Sequence, residues 1–596
     1  MSRFIAIFLC LLSFASAFAA PNVFSVSPYV QHPGTNAMSI LFFTTANVKA
    51  TVKVWPADGS ESAAIVKTTT PTDVSGVLGK NPADSTDTVI NAKQYKHAVR
   101  FMDLKLHADY CYSVTPEGGA TYRNMFRTLP DKNTPVRFIG YCDCETTPDA
   151  SPTTEWHNGG GQSKYYVSRS EGFASNIVHM VSRKPDLITI SGDLAAKGGY
   201  QKNWDEFWKE NAGGLGLGYN DPAGSIPILA AIGNHDLKEK DTISSSTGGE
   251  NPLKKFLTYF EFNSNGVHYA VSDGTNQAET RDMSQLFHRT DLGPVTLIFL
   301  DTNKGDNADK TKWTQDYATR PKMRSPDFNP GSLQYQWLTN NLADAQRNSR
   351  FTFVINHHCP YSVGIHNREP SGTGYKNGDY STNKNPDGES AQAVRVLTET
   401  MIQYGVDAWL CGHDEIQEHS QLLGAEILPN GTTRTHTLNV YDLGSGGDGL
   451  RGKKVVENEY EVFRAYENEP DVWENGVLVE GGCHYGFMEV DVTTNRLGKW
   501  TCSLTPCYNF IYKDKSGKVA GFELRRYKDR IIIDEESNKI VYQEWRGDRT
   551  LPEDHAEYVR PPEGPSVQPP PPYERVKPYV RATWFQGETQ YRRVEK

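Results

Sequence analysis

The sequence predicts a multidomain protein in which an N-terminal all-β sandwich precedes an α/β layered domain. The chain has 596 residues, more than one hydrophobic core usually supports, so two or more domains are expected. Short runs with β character fill residues 24–129, and from about residue 134 apolar runs alternate with helical segments. This change of pattern indicates two different folds in succession.

The composition is that of a folded, soluble protein, with 37% hydrophobic and 22% charged residues. The formal net charge of -10 is modest for this length and argues against a basic nucleic-acid surface. We therefore expect no nucleic-acid partner, while the oligomeric state stays open.

Residues 1–19 have the pattern of a cleaved export signal. Arg3 precedes the apolar run Phe4–Leu12, and Ala17 and Ala19 are spaced as at a signal-peptidase site. The alternative is a membrane anchor, but the apolar run is shorter than the ~20 residues that a spanning helix needs. We expect a secreted protein, periplasmic or extracellular, with no transmembrane segment after cleavage.

Residues 20–130 are expected to form the sandwich, because short β-type runs alternate there with turn-rich stretches. No cluster in this region looks catalytic. The runs are Ser39–Phe43, Ala50–Trp55, His97–Phe101 and Tyr110–Val114.

Residues 134–510 are expected to form the layered domain. Its predicted helices are Gly172–Arg183, Leu333–Arg347 and Ala391–Tyr404. Its near-continuous apolar runs are typical of buried strands, and each ends in polar residues, where ligands bind in α/β sheets. These runs are Val136–Tyr141, Leu187–Ser191, Ile226–Ile232, Val295–Leu300, Phe351–Ile355 and Ala408–Cys411.

Residues 511–596 form a charged C-terminal extension with one strand pair, Arg530–Ile533 and Lys539–Gln543, and a proline-rich segment, Pro569–Pro572. Packing against the preceding domain is the preferred interpretation of this extension. Among the cysteines, we expect a disulfide between Cys502 and Cys507, which are close in a loop-like stretch. Small buried side chains are expected at Cys142, Cys144, Cys359 and Cys411.

Five polar clusters follow the predicted strands in order. Oxygen and imidazole ligands that converge from several strand ends can hold two cations a few Å apart, and such a pair clamps the attacking and leaving oxygens of a phosphoryl group. The clusters are Asp143-Cys144-Glu145, Gly192-Asp193, Gly233-Asn234-His235-Asp236, His357-His358 and Gly412-His413-Asp414-Glu415.

This ordered set resembles the calcineurin-like metallophosphoesterase superfamily. With the N-terminal sandwich, which resembles a fibronectin-III-like domain, the chain is most similar to the secreted branch related to purple acid phosphatases. The resemblance implies a four-layer α-β-β-α sandwich and a phosphatase or phosphodiesterase that acts on a small phosphoester. It also implies two metal ions, with a metal-bound hydroxide as nucleophile.

Carried over by position, the resemblance implies that Asp193 bridges the two metals. His235 would stabilise the transition state or protonate the leaving oxygen, and Asp236 would orient it. The metal ligands implied at matching positions are Asp143, Asp193, Asn234, His357 and His413. Glu145 and Glu415 are candidate ligands at two positions where the residue differs from the family's.

The chain departs from the family pattern at the first metal. Glu145 and Glu415 stand where the family has histidines, and Ala196 stands where purple enzymes have a tyrosine, so no iron-to-tyrosinate colour is expected. A carboxylate-rich shell suits calcium, manganese, magnesium or iron better than zinc. The alternatives are a weak or empty first site, or His419 as a replacement ligand.

Other polar residues near the motifs can be explained by structural roles as well as by functional ones. His358 is as well explained by packing as by phosphate contact, and exposed loop positions are the default for His366, Lys197, Tyr200 and Lys238. For the whole protein, two further functions stay open. One is a non-catalytic or weakly active surface or matrix protein that keeps the fold and one metal, and the other is a nucleotidase.

Overall fold

The structure is a computed structural model that describes residues 20–78, 93–145, 154–157, 161–164, 169–238, 250–272, 278–303, 325–367, 391–451, 454–470, 472–475, 477–513, 516 and 519–543. The expected export signal, residues 1–19, and the end of the C-terminal extension, residues 544–596, lie outside the described residues. In the part of the chain that is described, no helix is long and apolar enough to cross a membrane.

The N-terminal region is the β-sandwich that the sequence predicts. Its elements are β1 (Phe24–Gln31), β2 (Met38–Thr44), β3 (Ala50–Pro56), β4 (Ile65–Thr69), β5 (Thr72–Asp73), α1 (Ser75–Leu78), β6 (Tyr95–Phe101), β7 (Asp109–Pro116) and β8 (Tyr122–Arg127). One sheet has the strand order β1-β2-β6-β5 and the other the order β4-β3-β7-β8. Phe42, Val52 and Phe126 are buried in the core between them.

The rest of the described chain supplies two large sheets, three two-stranded ribbons and the outer helices. The strands are β9 (Val136–Tyr141), β10 (Thr154–His157), β11 (Gly161–Lys164), β12 (Leu187–Ile190), β13 (Ile228–Ala230), β14 (His268–Ser272), β15 (Ala278–Asp282), β16 (His288–Leu292), β17 (Val295–Phe299), β18 (Phe351–His358), β19 (Ala408–Gly412), β20 (Gln417–Ile427), β21 (Thr433–Leu443), β22 (Glu461–Arg464), β23 (Val472–Glu474), β24 (Val477–Glu480), β25 (Gly486–Thr494), β26 (Trp500–Lys513), β27 (Val519–Arg526), β28 (Ile531–Asp534) and β29 (Lys539–Gln543). The helices are α2 (Arg169–Ser182), α3 (Gln201–Asn211), α4 (Glu250–Tyr259), α5 (Leu333–Asn348), α6 (Thr398–Gln403) and α7 (Ala465–Asn468).

The two large sheets pack face to face and carry helices on their outer surfaces. One has the order β13-β12-β9-β25-β26-β28-β29, with β27 on β26, and the other has the order β16-β17-β18-β19-β21-β20-β22. The Phe138 and Phe353 rings meet between the sheets with centroids 5.1 Å apart. Helix α2 packs on β25 and β26, and α5 and α6 pack on the other sheet. This is the four-layer α-β-β-α architecture, which explains why the inner strands are apolar on both faces.

The sandwich packs directly against the strand that leads to Asn234. The Gln31 side-chain amide in β1 donates to the Ile228 carbonyl of β13 at 2.9 Å. The Tyr112 hydroxyl of β7 donates to the Gly224 carbonyl at 2.7 Å, and the Tyr122 hydroxyl of β8 donates to the Asp221 carboxylate at 2.6 Å. The sandwich therefore fixes β13 and the segment that follows it.

The expected disulfide between Cys502 and Cys507 is wrong. Both residues lie in strand β26, not in a loop, and both thiols are free. Five positions along a strand separate them by about 17 Å and direct their side chains to opposite faces. The predicted burial of Cys142, Cys144, Cys359 and Cys411 is confirmed.

The start of the C-terminal extension belongs to the second half of the β13-containing sheet. Strand β28 pairs with β26 and with β29. The predicted strand pair is therefore present, and it continues the sheet that carries β9 and β12.

Candidate metal centre

The polar clusters meet at the carboxyl edge of both large sheets. Strands β9, β12 and β13 run parallel in one sheet, and β18 and β19 run parallel in the other. Parallel strands end at the same edge, so the residues that end or follow them share a crevice. Those residues are Asp143 after β9, Asp193 after β12, Asn234 after β13, His357 in β18, and His413 and Glu415 after β19.

Several of these residues have a strained backbone. Asp143, Asp193 and Glu415 have φ values of 52°, and His413 has a φ of 81°. Non-glycine residues rarely adopt this left-handed region, and such strain concentrates at functional sites. Neighbouring strand ends hold it in place, since the Asp143 amide donates to the Gly192 carbonyl at 3.3 Å.

One side of the crevice, here called the nitrogen half, consists of Asp193, Asn234, His357 and His413. His357 Nε2 lies 2.7 Å from Asn234 Oδ1, 3.0 Å from Asp193 Oδ2 and 3.1 Å from His413 Nδ1. All four residues are buried. His357 Nδ1 faces the Ser191 carbonyl at 3.2 Å, so in the neutral ring it carries the proton and Nε2 presents a lone pair.

The nitrogen half fits a metal ion. Asn234 Oδ1 and Asp193 Oδ2 are acceptors, and His357 Nε2 is also one in the neutral ring, so the three atoms form a set that binds cations. Burial, followed by the charges of neighbouring histidines, lowers the pKa of His413 well below its usual value. A neutral imidazole is the form that binds metals.

The other side, here called the carboxylate half, consists of Asp143, Glu145, Asp193 and Glu415. Burial, then the charges of Asp193 and Glu415, raises the pKa of Asp143 well above its usual range. Burial and neighbouring carboxylates raise the pKa of Glu145 in the same way. Glu145 Oε2 is buried and has no hydrogen-bond partner within the described residues. A hard cation would offset this crowding of acidic groups, so the donor set fits one.

Glu415 differs from the other carboxylates of this half. Its Oε1 lies 2.8 Å from Nη2 of Arg451. Glu145, Asp193 and Asp143 belong to groups whose possible ligand atoms lie within 4.8 Å of one another, and across the described ranges Glu415 belongs to none of these groups. In the structure, the Glu415 carboxylate therefore pairs with Arg451 and, within the described part of the chain, is not part of a group of possible metal ligands.

His235 lies at the open side of the crevice. Its backbone N donates to Asp193 Oδ1 at 2.8 Å, and its Nδ1 lies 3.0 Å from the Ala196 carbonyl and 2.7 Å from Glu145 Oε1. Burial lowers the pKa of His235 to about 4, although 29% of the side chain remains exposed. The ring is therefore held at Nδ1 by these two contacts.

Asp236 does not contact the His235 ring, contrary to expectation. Its Oδ1 accepts from the Leu194 and Ala195 amides at 2.9 and 3.1 Å, and its Oδ2 accepts from the Gly233 amide at 2.9 Å. Asp236 therefore ties the loop after β13 to the loop after β12. The ring of His235 is oriented by the Ala196 carbonyl and Glu145.

A β-bulge brings His357 and His358 to the same neighbour. The register between β18 and β19 shifts between Ile355 and His358. The rings of His357 and His358 consequently lie 4.8 and 4.6 Å from the His413 ring. His358 Nδ1 also lies 3.0 Å from the Thr302 hydroxyl. Adjacent strand residues normally point to opposite faces, but strict alternation does not hold across a bulge.

His366 is half-buried in the crevice, whereas His419 is remote from it. The His366 ring lies 3.9 Å from the His413 ring, so an exposed loop position is wrong for it. His419 Nδ1 pairs with Asp529 at 2.8 Å, and its ring stacks on Tyr441. His419 as a replacement ligand is therefore also wrong, because strand β20 carries it away from the carboxylate half.

The three remaining candidates lie around the loops after β12 and β13. Lys197 lies over the Tyr200 ring at 5.3 Å. Lys238 follows the His235 turn. Burial raises the pKa of Asp193, but the charges of His357 and His235 and, to a smaller extent, that of Lys238 lower it below its usual value. Lys238 is thus a cation of the site's surroundings.

A glycine-rich loop, residues 444–451, follows β21 and borders the site, although none of the five sequence clusters includes it. The amides of Gly447 and Asp448 donate to the Asp143 carbonyl at 3.0 and 2.8 Å. Arg451 is in the same loop. The run Gly444-Ser445-Gly446-Gly447-Asp448-Gly449 is the signal that could identify it, since glycines let a backbone approach closely.

Comparison with known proteins shows which family and which solved structures the chain is similar to. Residues 156–416 match the family described as calcineurin-like phosphoesterase. The curated protein "Probable purple acid phosphatase 20" of Arabidopsis thaliana is 26% identical over 195 residues, which are 33% of this chain and 34% of that protein. The match therefore spans well under two thirds of the relative's length.

Two solved structures have a similar fold. Purple acid phosphatase PPD1 from yellow lupin (Lupinus luteus) seeds superposes with a TM-score of 0.51 at 15% identity, covering 83% of this chain and 72% of that one. PhoD superposes with a TM-score of 0.51 at 14% identity, covering 90% and 94%. At these identities the similarity concerns the fold.

Proposed function

We propose, from the calcineurin-like phosphoesterase domain that this chain contains, that the protein is a metal-dependent phosphoester hydrolase. The observation that carries the proposal is the convergence of Asn234 Oδ1, Asp193 Oδ2 and His413 Nδ1 on His357 Nε2, all within 3.1 Å. Families with this domain use a dinuclear metal centre, and beside the first group the chain offers a second, Glu145, Asp193 and His235, whose possible ligand atoms lie within 4.8 Å of one another.

The two halves would hold different ions. The nitrogen half supplies two imidazoles, an amide oxygen and Asp193, a set that suits iron, manganese or zinc. The carboxylate half supplies Asp143, Glu145 and Asp193 and suits calcium, magnesium, manganese or iron better. When bound, a pair of such ions polarises the phosphoryl oxygens and makes water more acidic.

The chain's own residues then position the substrate and supply a proton. Asp193 lies where it can reach both halves, and its Oδ1 also fixes the His235 backbone. His235, with its ring held through Nδ1, is placed to stabilise charge on the substrate, or to protonate the leaving oxygen once its second ring nitrogen carries a proton. Monoester and diester substrates both remain open, as does a nucleotide.

We also propose that the protein is secreted and that its substrate is a small phosphoester. Support comes from the export-signal pattern of residues 1–19 and from the formal net charge of -10, which disfavours a nucleic-acid substrate.

The test is metal-dependent hydrolysis by the purified full chain. We expect p-nitrophenol release from p-nitrophenyl phosphate or bis-p-nitrophenyl phosphate with Mn, Fe, Zn, Ca or Mg, and its loss after chelation. His357→Asn should abolish turnover and His107→Asn should not, because His107 lies in the sandwich at a φ of 46° that asparagine tolerates. A folded chain that binds one metal and hydrolyses neither ester under any of these conditions would instead be the non-catalytic protein.

A further inference from the structure

The glycine-rich loop, residues 444–451, encloses the carboxylate half. The Gly446 amide donates to the Cys142 carbonyl at 2.9 Å, and the Arg451 amide donates to the Glu415 carbonyl at 2.8 Å. A Cβ at Gly444 would lie 2.5 Å from Asp143 Oδ2 and 2.6 Å from the Glu415 backbone. Only a glycine loop can pass this close, so Arg451 is delivered to a defined place at its end.

The guanidinium of Arg451 joins the two halves of the site. Its Nη2 lies 2.8 Å from Glu415 Oε1 in the carboxylate half. Its Nη1 donates to His366 Nε2 at 3.3 Å, and the His366 ring lies 3.9 Å from the ring of His413 in the nitrogen half. Arg451 thus contacts the carboxylate half directly and the nitrogen half through the His366 ring.

The segments that carry the two partners of Arg451, Glu415 and His366, are held together by further hydrogen bonds. The His366 amide donates to Asp414 Oδ1 at 2.7 Å, and the Asn367 side chain donates to Asp414 Oδ2 at 3.2 Å. The Arg451 side chain is 26% exposed, whereas that of Glu415 is 12% exposed. An arginine has five N–H donors, more than these two contacts use. The planar group can therefore keep both holders and still face an anion that enters the crevice.

We propose that Arg451 is a substrate-binding residue that donates to the phosphoryl oxygens of the ester, and that Glu415 and His366 are positioning residues that hold its guanidinium. The inference deepens the proposed function and rests on it for the identity of the anion. It also assigns Glu415 a different task from metal ligation. Planar guanidinium groups match phosphoryl oxygens in geometry and in charge.

The test measures binding of inorganic phosphate to the metal-loaded full chain by titration calorimetry, together with metal content. In Arg451→Met we expect the dissociation constant to rise by at least about tenfold, as for loss of one charge-assisted hydrogen bond, with the metal count unchanged. Arg451→Lys should recover part of the affinity. Glu415→Gln should keep the metal count and give a smaller rise, expressed as a higher KM rather than a lower kcat.

Arg434→Met is the matched control. Arg434 pairs with Glu426 at 2.6 Å and its side chain is 31% exposed, so it resembles Arg451 but lies far along β21 from the crevice. The phosphate affinity of the Arg434→Met variant should equal that of the unmodified chain.

The outcomes separate the inference from the proposed function. Phosphate binding that depends on Arg451 in a chain that hydrolyses no ester would uphold the inference and refute the function. Ester hydrolysis with an unchanged KM in Arg451→Met would uphold the proposed function and refute the inference. Loss of a metal ion in Arg451→Met or Glu415→Gln, or no phosphate binding by the unmodified chain, would overturn the inference.

Discussion

The two halves of the candidate metal centre are built in different ways. The nitrogen half consists of side chains at strand ends, and its atoms converge on His357 Nε2 within 3.1 Å. The carboxylate half is closed by a loop, residues 444–451, whose amides bind the Asp143 backbone. In the nitrogen half, the sheet sets the positions of the side chains. In the carboxylate half, glycine residues allow the loop to approach the acidic side chains closely.

This difference indicates where the site can vary. A strand end fixes its ligand rigidly, so replacement there removes a metal outright. A loop can bring in new groups, and here it brings Arg451 to Glu415 at 2.8 Å. The carboxylate half therefore combines metal-binding acids with a cation.

The largest effect is expected from Asp193→Asn, because Asp193 serves both halves. Asparagine keeps an acceptor for the His235 amide but replaces the charged oxygen that faces His357 at 3.0 Å. We expect both metal ions to be lost and turnover to fall by more than about 100-fold, since outer-shell partners alone are worth roughly 10- to 100-fold. Metal analysis and p-nitrophenol release measure this.

Asp186→Asn is the matched control for that variant. Asp186 directly precedes β12 and Asp193 follows it, so the two residues lie at opposite ends of one strand. Asp186 accepts from the Arg137 amide at 3.0 Å, and burial raises its pKa to about 7. The control should keep both ions. If Asp193→Asn loses only one ion, the two halves do not share this residue.

A smaller effect is expected from the pair His235→Asn and Asp236→Asn, which separates chemistry from architecture. His235→Asn should keep both ions and the melting temperature and lower kcat by about 10²- to 10⁴-fold, the range for general acid catalysis. Asp236→Asn should instead lower the free energy of unfolding by about 1–3 kcal/mol. Its carboxylate binds three backbone amides, one of which would then face an amide donor.

Thermal unfolding and steady-state kinetics on the same preparations decide between these roles. An unchanged stability for Asp236→Asn would show that the loops after β12 and β13 do not depend on this carboxylate. Loss of a metal ion in His235→Asn would make His235 a ligand, in keeping with its 2.7 Å contact to Glu145.

The nitrogen half and the layered fold are well predicted from the sequence, because apolar runs that end in Gly-Asp, Gly-Asn-His and Gly-His encode strand and ligand together. The carboxylate half is less predictable. The position of Glu145 and Glu415 in their motifs does not reveal that Arg451 binds Glu415, since the two residues meet only through the fold.

Two further errors have the same physical origin. The length of β26 separates Cys502 from Cys507, and the register of β20 carries His419 into the core. Each depends on how a strand pairs with its neighbour, and pairing is a property of two distant segments. Local pattern fixes which residues are available, whereas register decides which of them meet.

The smallest effect is expected from Gly444→Ala, which perturbs the loop without removing a ligand. The added Cβ would lie 2.5 Å from Asp143 Oδ2, so the carboxylate or the loop must shift. We expect the ion of the carboxylate half to bind about tenfold more weakly, the lower end of the range for outer-shell changes, and the ion of the nitrogen half to be unaffected.

Gly76→Ala is the control, because no atom lies within 4 Å of its added Cβ. Stepwise chelation with metal analysis measures both affinities. Equal weakening of the two ions would mean that the halves are mechanically coupled, and that the distinction between a sheet-built and a loop-built half does not extend to their energetics.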